Sequence, residues 1–86
     1  MEEITKKFYV LGGKWFDKIN GNTYHVAKIM DEEGKVYYTN YQYGYGNSYY
    51  YSAKEFIKST LNIINYKLFD MGCAYYKKSD LKNGNF

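Results

Sequence analysis

The sequence predicts an α+β fold: a small antiparallel sheet in the order β-β-β-α-β, with one helix packed on one face. Three observations carry this. The first half holds β-favouring runs separated by two short polar turns. One stretch with helical spacing of apolar residues follows a glycine-rich break. A further short apolar run comes after the helix.

Phe8-Tyr9-Val10-Leu11 opens the first strand. Gly12-Gly13 interrupts it, which predicts a bulge or sharp bend within the strand. Lys14 to Ile19 resumes with polar/apolar alternation, placing Trp15 and Ile19 on one face. Asn20-Gly21 is the strongest turn signal, because both central residues of a type I′ turn need φ > 0. The chain then returns over Asn22 to Met30. Tyr24, Val26 and Met30 point one way, and His25, Ala27 and Ile29 the other.

Asp31-Glu32-Glu33-Gly34 makes a second turn, and Lys35 to about Gln42 a third strand. Tyr43 to Ser48, with two glycines and an Asn, reads as a loop. Ser52-Ala53-Lys54-Glu55 has the form of a capping box, flanked by Tyr51 and Phe56 at staple positions. It predicts a helix from Ala53 to about Asn62, with Phe56, Ile57, Thr60, Leu61 and Ile64 as its apolar stripe. Asn65 to Met71 fits a helix end, a turn or a loop. Cys73 to Lys78 reads as the last strand, and Ser79 to Phe86 as a loose tail of a single domain over residues 1–86.

A chain of 86 residues buries roughly 60–65% of the surface its unfolded form exposes. That excludes two full domains and a deep multi-lobed active site. Hydrophobic residues at 45% and charged residues at 24% exclude disorder over the whole length. The charged segment Met1 to Lys7 lacks the apolar core of a signal peptide. No run approaches the ~18 apolar residues of a membrane span. With one Cys and one His there is no internal disulfide and no cysteine-cluster metal site, which fits a reducing cytoplasm.

No catalytic set stands out, so the expectation is a protein that is not an enzyme and uses no cofactor or metal. His25 reads as a structural or surface imidazole. Cys73, in an apolar strand, reads as an inert core thiol. Asp31-Glu32-Glu33 reads as a solvated turn. The Tyr43-Gly44-Tyr45-Gly46 loop contains no Lys and matches neither the P-loop nor the dinucleotide fingerprint.

Tyrosine is the unusual signal: 13 residues, in a chain that is 22% aromatic. A strand alternates faces, so Tyr37-Tyr38 and Tyr49-Tyr50-Tyr51 must turn at least one ring away from the core. Exposed Tyr suits protein interfaces, and its other use is stacking on unpaired bases. The net charge is +3, and all 12 basic residues are Lys. Without the bidentate fork of Arg, phosphate contacts are weak. A protein partner is therefore favoured, with Tyr37, Tyr43, Tyr45, Tyr49 and Tyr50 as candidate partner-binding residues.

The segment Lys14-Trp15-Phe16-Asp17-Lys18-Ile19-Asn20-Gly21-Asn22-Thr23-Tyr24-His25 resembles small accessory proteins encoded by bacteriophages and prophages. Gln42-Tyr43-Gly44-Tyr45-Gly46-x-x-Tyr49 and Lys77 to Lys82 extend the likeness over roughly residues 8–82. The resemblance implies an anti-defence protein, anti-CRISPR-like, that binds a host defence protein or nuclease complex in the bacterial cytoplasm. It supplies no catalytic residues. Two alternatives stand beside it: a small nucleic-acid-binding accessory protein using Lys and exposed Tyr, and a sponge for a nucleotide signal.

Overall fold

The computed structural model describes residues 5–86, so the charged opening Met1 to Ile4 lies outside the described residues. Seven elements follow in order: β1 (Lys6–Asp17), β2 (Asn22–Asp31), β3 (Val36–Tyr38), β4 (Gln42–Tyr43), α1 (Ser48–Ser59), β5 (Tyr66–Tyr75) and α2 (Lys78–Lys82). They make an α+β fold around a five-stranded sheet. The sheet order is β3-β2-β1-β5, with β4 also paired to β2. The sheet is mixed where the sequence predicted an antiparallel one, because β5 lies parallel to β1. The cause is the route of the chain. Strand β4 runs antiparallel to β2, hence along β1. Helix α1 then carries the chain back, and β5 enters on the far side of β1 in the same direction.

The β1–β2 hairpin pairs without a break from Phe8↔Asp31 to Asp17↔Asn22. Its connection is a four-residue loop, wider than the expected two-residue turn. Only Gly21 takes a positive φ there, at 70°, and its N–H donates to the Asp17 carbonyl at 2.8 Å. The Asp17 carboxylate accepts from the backbone N–H of Ile19 and from the Asn20 side-chain amide. These bonds hold the Asp17 pKa below its ordinary value, the Asn20 amide contributing most.

The expected third strand is split. Its first part pairs as Lys28↔Tyr38 and its second as His25↔Gln42, so one extra residue bulges out between them. Thr39 closes the gap: its hydroxyl accepts the Ala27 N–H at 2.8 Å, and its N–H reaches the Ala27 carbonyl at 2.9 Å.

Gly12-Gly13 does not bend β1. The irregularity lies in β5, where the β1–β5 register shifts between Val10 and Gly12. The glycines instead make room. A Cβ on Gly12 would sit 2.5 Å from the Tyr49 ring, and one on Gly13 the same distance from Leu81. Successive strand residues face opposite sides, so this pair opens a seat for α1 on one face and for α2 on the other.

The core lies on the α1 face: Phe8, Val10, Ala27 and Ile29 from the sheet meet Tyr49, Ala53 and Ile57 from the helix. The sequence placed the helix start too late. Helix α1 begins at Ser48, after Asn47, and its buried stripe runs Tyr49, Ala53, Ile57 at steps of four. Ser52 is therefore not an N-cap, and Ile64 is 85% exposed, beyond the helix. The tail is not loose either. Leu81 in α2 is buried, the Phe86 ring packs on Tyr76 and Tyr38, and Lys28 Nζ donates to the Phe86 carbonyl at 2.7 Å.

Candidate functional site

The chain passes from sheet to helix through Tyr43 to Ser48, and exposed tyrosines and an open groove lie at or beside that corner. Gly44 and Gly46 take φ of 156° and 65°. The left-handed φ of Gly46 turns the chain, and Tyr45, the one residue between the two glycines, stands outward. Tyr43, Tyr45 and Tyr51 are 58%, 70% and 59% exposed.

The five expected partner-binding tyrosines therefore divide. Tyr43 and Tyr45 are free to meet a partner. Tyr49 is not: it is buried over Gly12, and its hydroxyl donates to both oxygens of Asp70 at 2.8 Å. Burial and the Asp70 carboxylate push its phenol pKa well above the ordinary value. Tyr50 and Tyr37 are half-buried against the core, Tyr37 tilted on Phe56 at 5.8 Å. Tyr51, absent from the expected set, is also exposed, as is Tyr75 on β5. Beginning the helix five residues earlier changes which of the three consecutive tyrosines faces the sheet.

Beside the corner lies an open groove of about 500 Å³ between β4, the β3–β4 loop and α1. Tyr51 and Phe56 give it aromatic surface; Tyr43 borders it, but its ring turns to the other sheet face, edge-on to Tyr24 at 5.9 Å. Asn40, Gln42, Ser48 and Ser52 supply neutral polar groups, and Glu55 the only carboxylate. At its base sits His25, buried at 2% exposure. Its Nδ1 lies 3.2 Å from the Gly44 carbonyl and its Nε2 2.7 Å from Ser52 Oγ. Gln42 Nε2 donates to the same Oγ at 3.1 Å. A carbonyl only accepts, so Nδ1 carries the hydrogen, and in the neutral ring Nε2 faces the serine hydroxyl as an acceptor. Sequence reading missed this contact. It becomes legible once Ser48 is taken as the helix start, because Ser52 then flanks the Tyr49–Ala53–Ile57 stripe.

Burial lowers the His25 pKa below its ordinary 6.5, Lys14 adds to the effect, and the Gly44 bond opposes it. The folded state then binds fewer protons than the unfolded state just below pH 6.5. Stability rises with pH through that window and is lost as pH falls from about 6.5 through the folded pKa. Urea midpoints at about pH 7.5 and 5.5 test this. The midpoint should fall on acidification in the native protein and fall less in His25→Asn.

On the opposite sheet face the aromatic rings form a ladder. Trp15 and Tyr24 lie 6.0 Å apart, and Tyr24 stacks on Tyr41 at 5.2 Å. Lys78 lies over Trp15 and Lys82 over Tyr41, at 5.2 and 5.1 Å. Cys73, expected in the core, is exposed on β5, the edge strand. Among the described residues no helix is long and apolar enough to cross a membrane. No family model, curated protein or solved structure matches the chain.

Proposed function

We propose that the protein is a phage-derived anti-defence inhibitor, anti-CRISPR-like, that acts in the bacterial cytoplasm by binding a host defence protein or nuclease complex. The observation that supports this is the exposed tyrosine corner. Tyr43 and Tyr45 stand in solvent at a turn whose glycines let a partner approach the backbone, and Tyr51 is exposed on the helix that follows. Tyr is among the residues that concentrate interface energy, with truncation costing about 2 kcal/mol or more at an anchor. Tyr43 and Tyr45 keep the role expected for them, and Tyr51 replaces Tyr49. The mode of action is occupancy of the partner's surface.

The test is protection of phage DNA in cells carrying an active CRISPR system. Native protein should block interference. Tyr43→Ala combined with Tyr45→Ala should weaken the partner complex by about 30-fold or more and lose protection while melting like the native protein. Full protection by this folded double variant would remove the corner from the function.

One observation favours a second reading, nucleic-acid binding: the Trp15–Tyr24–Tyr41 ladder with Lys78 and Lys82 beside it. Its two lysines reach few phosphates, so affinity should stay at about 10⁻⁴–10⁻⁶ M at physiological salt. Nanomolar binding to single-stranded DNA that survives about 200 mM salt would put this reading first. The nucleotide sponge has least support, since no lysine lines the groove.

A further inference from the structure

We propose that Ser52 and His25 form a nucleophile–base pair that accepts acyl groups from small neutral carboxylic esters entering the groove. This goes beyond the binding reading, which uses the outward rings of Tyr43, Tyr45 and Tyr51 and makes no use of the imidazole. It also departs from the sequence expectation of an inert histidine in a protein without catalysis.

The geometry supplies three parts that nucleophilic catalysis needs: a hydroxyl, a base within hydrogen-bond reach, and a third group orienting that base. Ser52 Oγ and His25 Nε2 are 2.7 Å apart, and the Gly44 carbonyl holds the ring by its other nitrogen. That carbonyl fixes the tautomer in which Nε2 has a free lone pair. His25 is buried while Ser52 is only half-buried and lines the open groove, so the base is shielded and the nucleophile reachable. The ring's depressed pKa keeps it unprotonated at neutral pH.

A fourth part is Gln42. Its amide donates to Ser52 Oγ at 3.1 Å. The oxygen that becomes negative during attack is bonded to the carbon that Oγ joins, and in the proposed attack it lies on the side of this amide. Such a donor stabilises the tetrahedral intermediate. Ser52 sits within α1, away from its first turn, so the helix N-terminus contributes nothing here.

The step balances within the protein and substrate. Ser52 Oγ bonds to the ester carbonyl carbon as its proton passes to His25 Nε2. The carbon–alkoxide bond then breaks, and His25 returns the proton to the departing alkoxide. Water attacks the acyl-serine by the reverse proton route, releasing the acid and restoring Ser52. The lining sets the class of substrate. Glu55 is its only carboxylate and it has no lysine or arginine, which disfavours anionic esters. Tyr51 and Phe56 receive an apolar alcohol or acyl part.

The experiment is labelling of the native protein with a fluorophosphonate, followed by peptide mapping. One adduct is expected, on Ser52, at a rate that falls as His25 becomes protonated below pH 6.5. Unfolding in urea should abolish it. His25→Gln should slow labelling by about 100-fold or more, the contribution of a positioned base. A variant that fails to fold leaves the native protein's pH profile and its urea control to decide. An unlabelled Ser52, adducts on tyrosines instead, equal labelling in urea, or a rate that does not fall on acidification before the protein unfolds would each overturn the proposal. Phage protection by Ser52→Ala is a separate readout, and its retention leaves the binding reading intact.

Discussion

Replacing Tyr49 by Ala should cost the domain about 3–5 kcal/mol, the range for truncating a buried aromatic ring. The ring fills the seat above Gly12 and belongs to the cluster with Phe8, Val10, Ala27, Ile29, Ala53 and Ile57. Its loss leaves a cavity that β1 cannot close, because neighbouring strands hold both of its edges. The Asp70 carboxylate also loses the phenol that contacts both of its oxygens. Tyr49→Phe isolates that part and should cost about 1.5–3 kcal/mol, as for a hydrogen bond to a charged group. Chemical denaturation measures both. Tyr45→Ala serves as the contrast: its ring is exposed, and the change should stay within about 0.5 kcal/mol. A Tyr49→Ala protein as stable as the native one, yet unable to bind its partner, would make Tyr49 an interface anchor after all.

Leu81→Ala should be nearly as damaging, at about 2–5 kcal/mol. Leu81 is 2% exposed and drops onto the bare backbone of Gly13, with Phe86 beside it. The effect should appear as a lower denaturation midpoint with an unchanged slope. Removal of residues 78–86 should do at least as much harm, because it also uncovers Val26 on that face. Stability unchanged within about 0.5 kcal/mol in Leu81→Ala would mean that the segment after Lys77 is an appendage, as its polar composition suggests.

The parts of the fold legible in the sequence were those written in local chemistry. The place of the hairpin turn at Asn20-Gly21, though not its two-residue form, the Asp31-to-Gly34 turn and the existence of one long helix all follow from residues adjacent along the chain. What escaped depended on residues far apart. The helix start was hidden because Tyr49, Tyr50 and Tyr51 favour strands in isolation, and only the space above Gly12 makes Tyr49 profitable in a helix. The S-x-x-E pattern at Ser52 carries the same letters whether the hydroxyl caps a helix or meets His25 across the groove. The Leu81 seat could not be read from a tail with one apolar residue in its first seven. Of the candidate site, Tyr43 and Tyr45 were legible because glycines flank them. Tyr49 was not, since its direction depends on the helix start. The His25–Ser52 contact joins residues on different elements, so no local pattern records it.

The parallel pairing of β1 with β5 has a consequence for how the chain is made. During synthesis β1 and β2 can close their hairpin early, since a short loop joins them. The other edge of β1 must then stay open until β5 has left the ribosome: Lys6 waits for Tyr66, and Lys14 for Tyr75. Helix α1 emerges between them and can already rest on β1 and β2, which supply Phe8, Val10, Ala27 and Ile29 beneath it. Nascent chains arrested before Tyr66 should therefore present a long, apolar, unpaired strand edge, the kind of surface that chaperones and other nascent chains capture. Completion of the sheet becomes a late event, set by the slow closure of distant segments more than by the quick formation of any one turn.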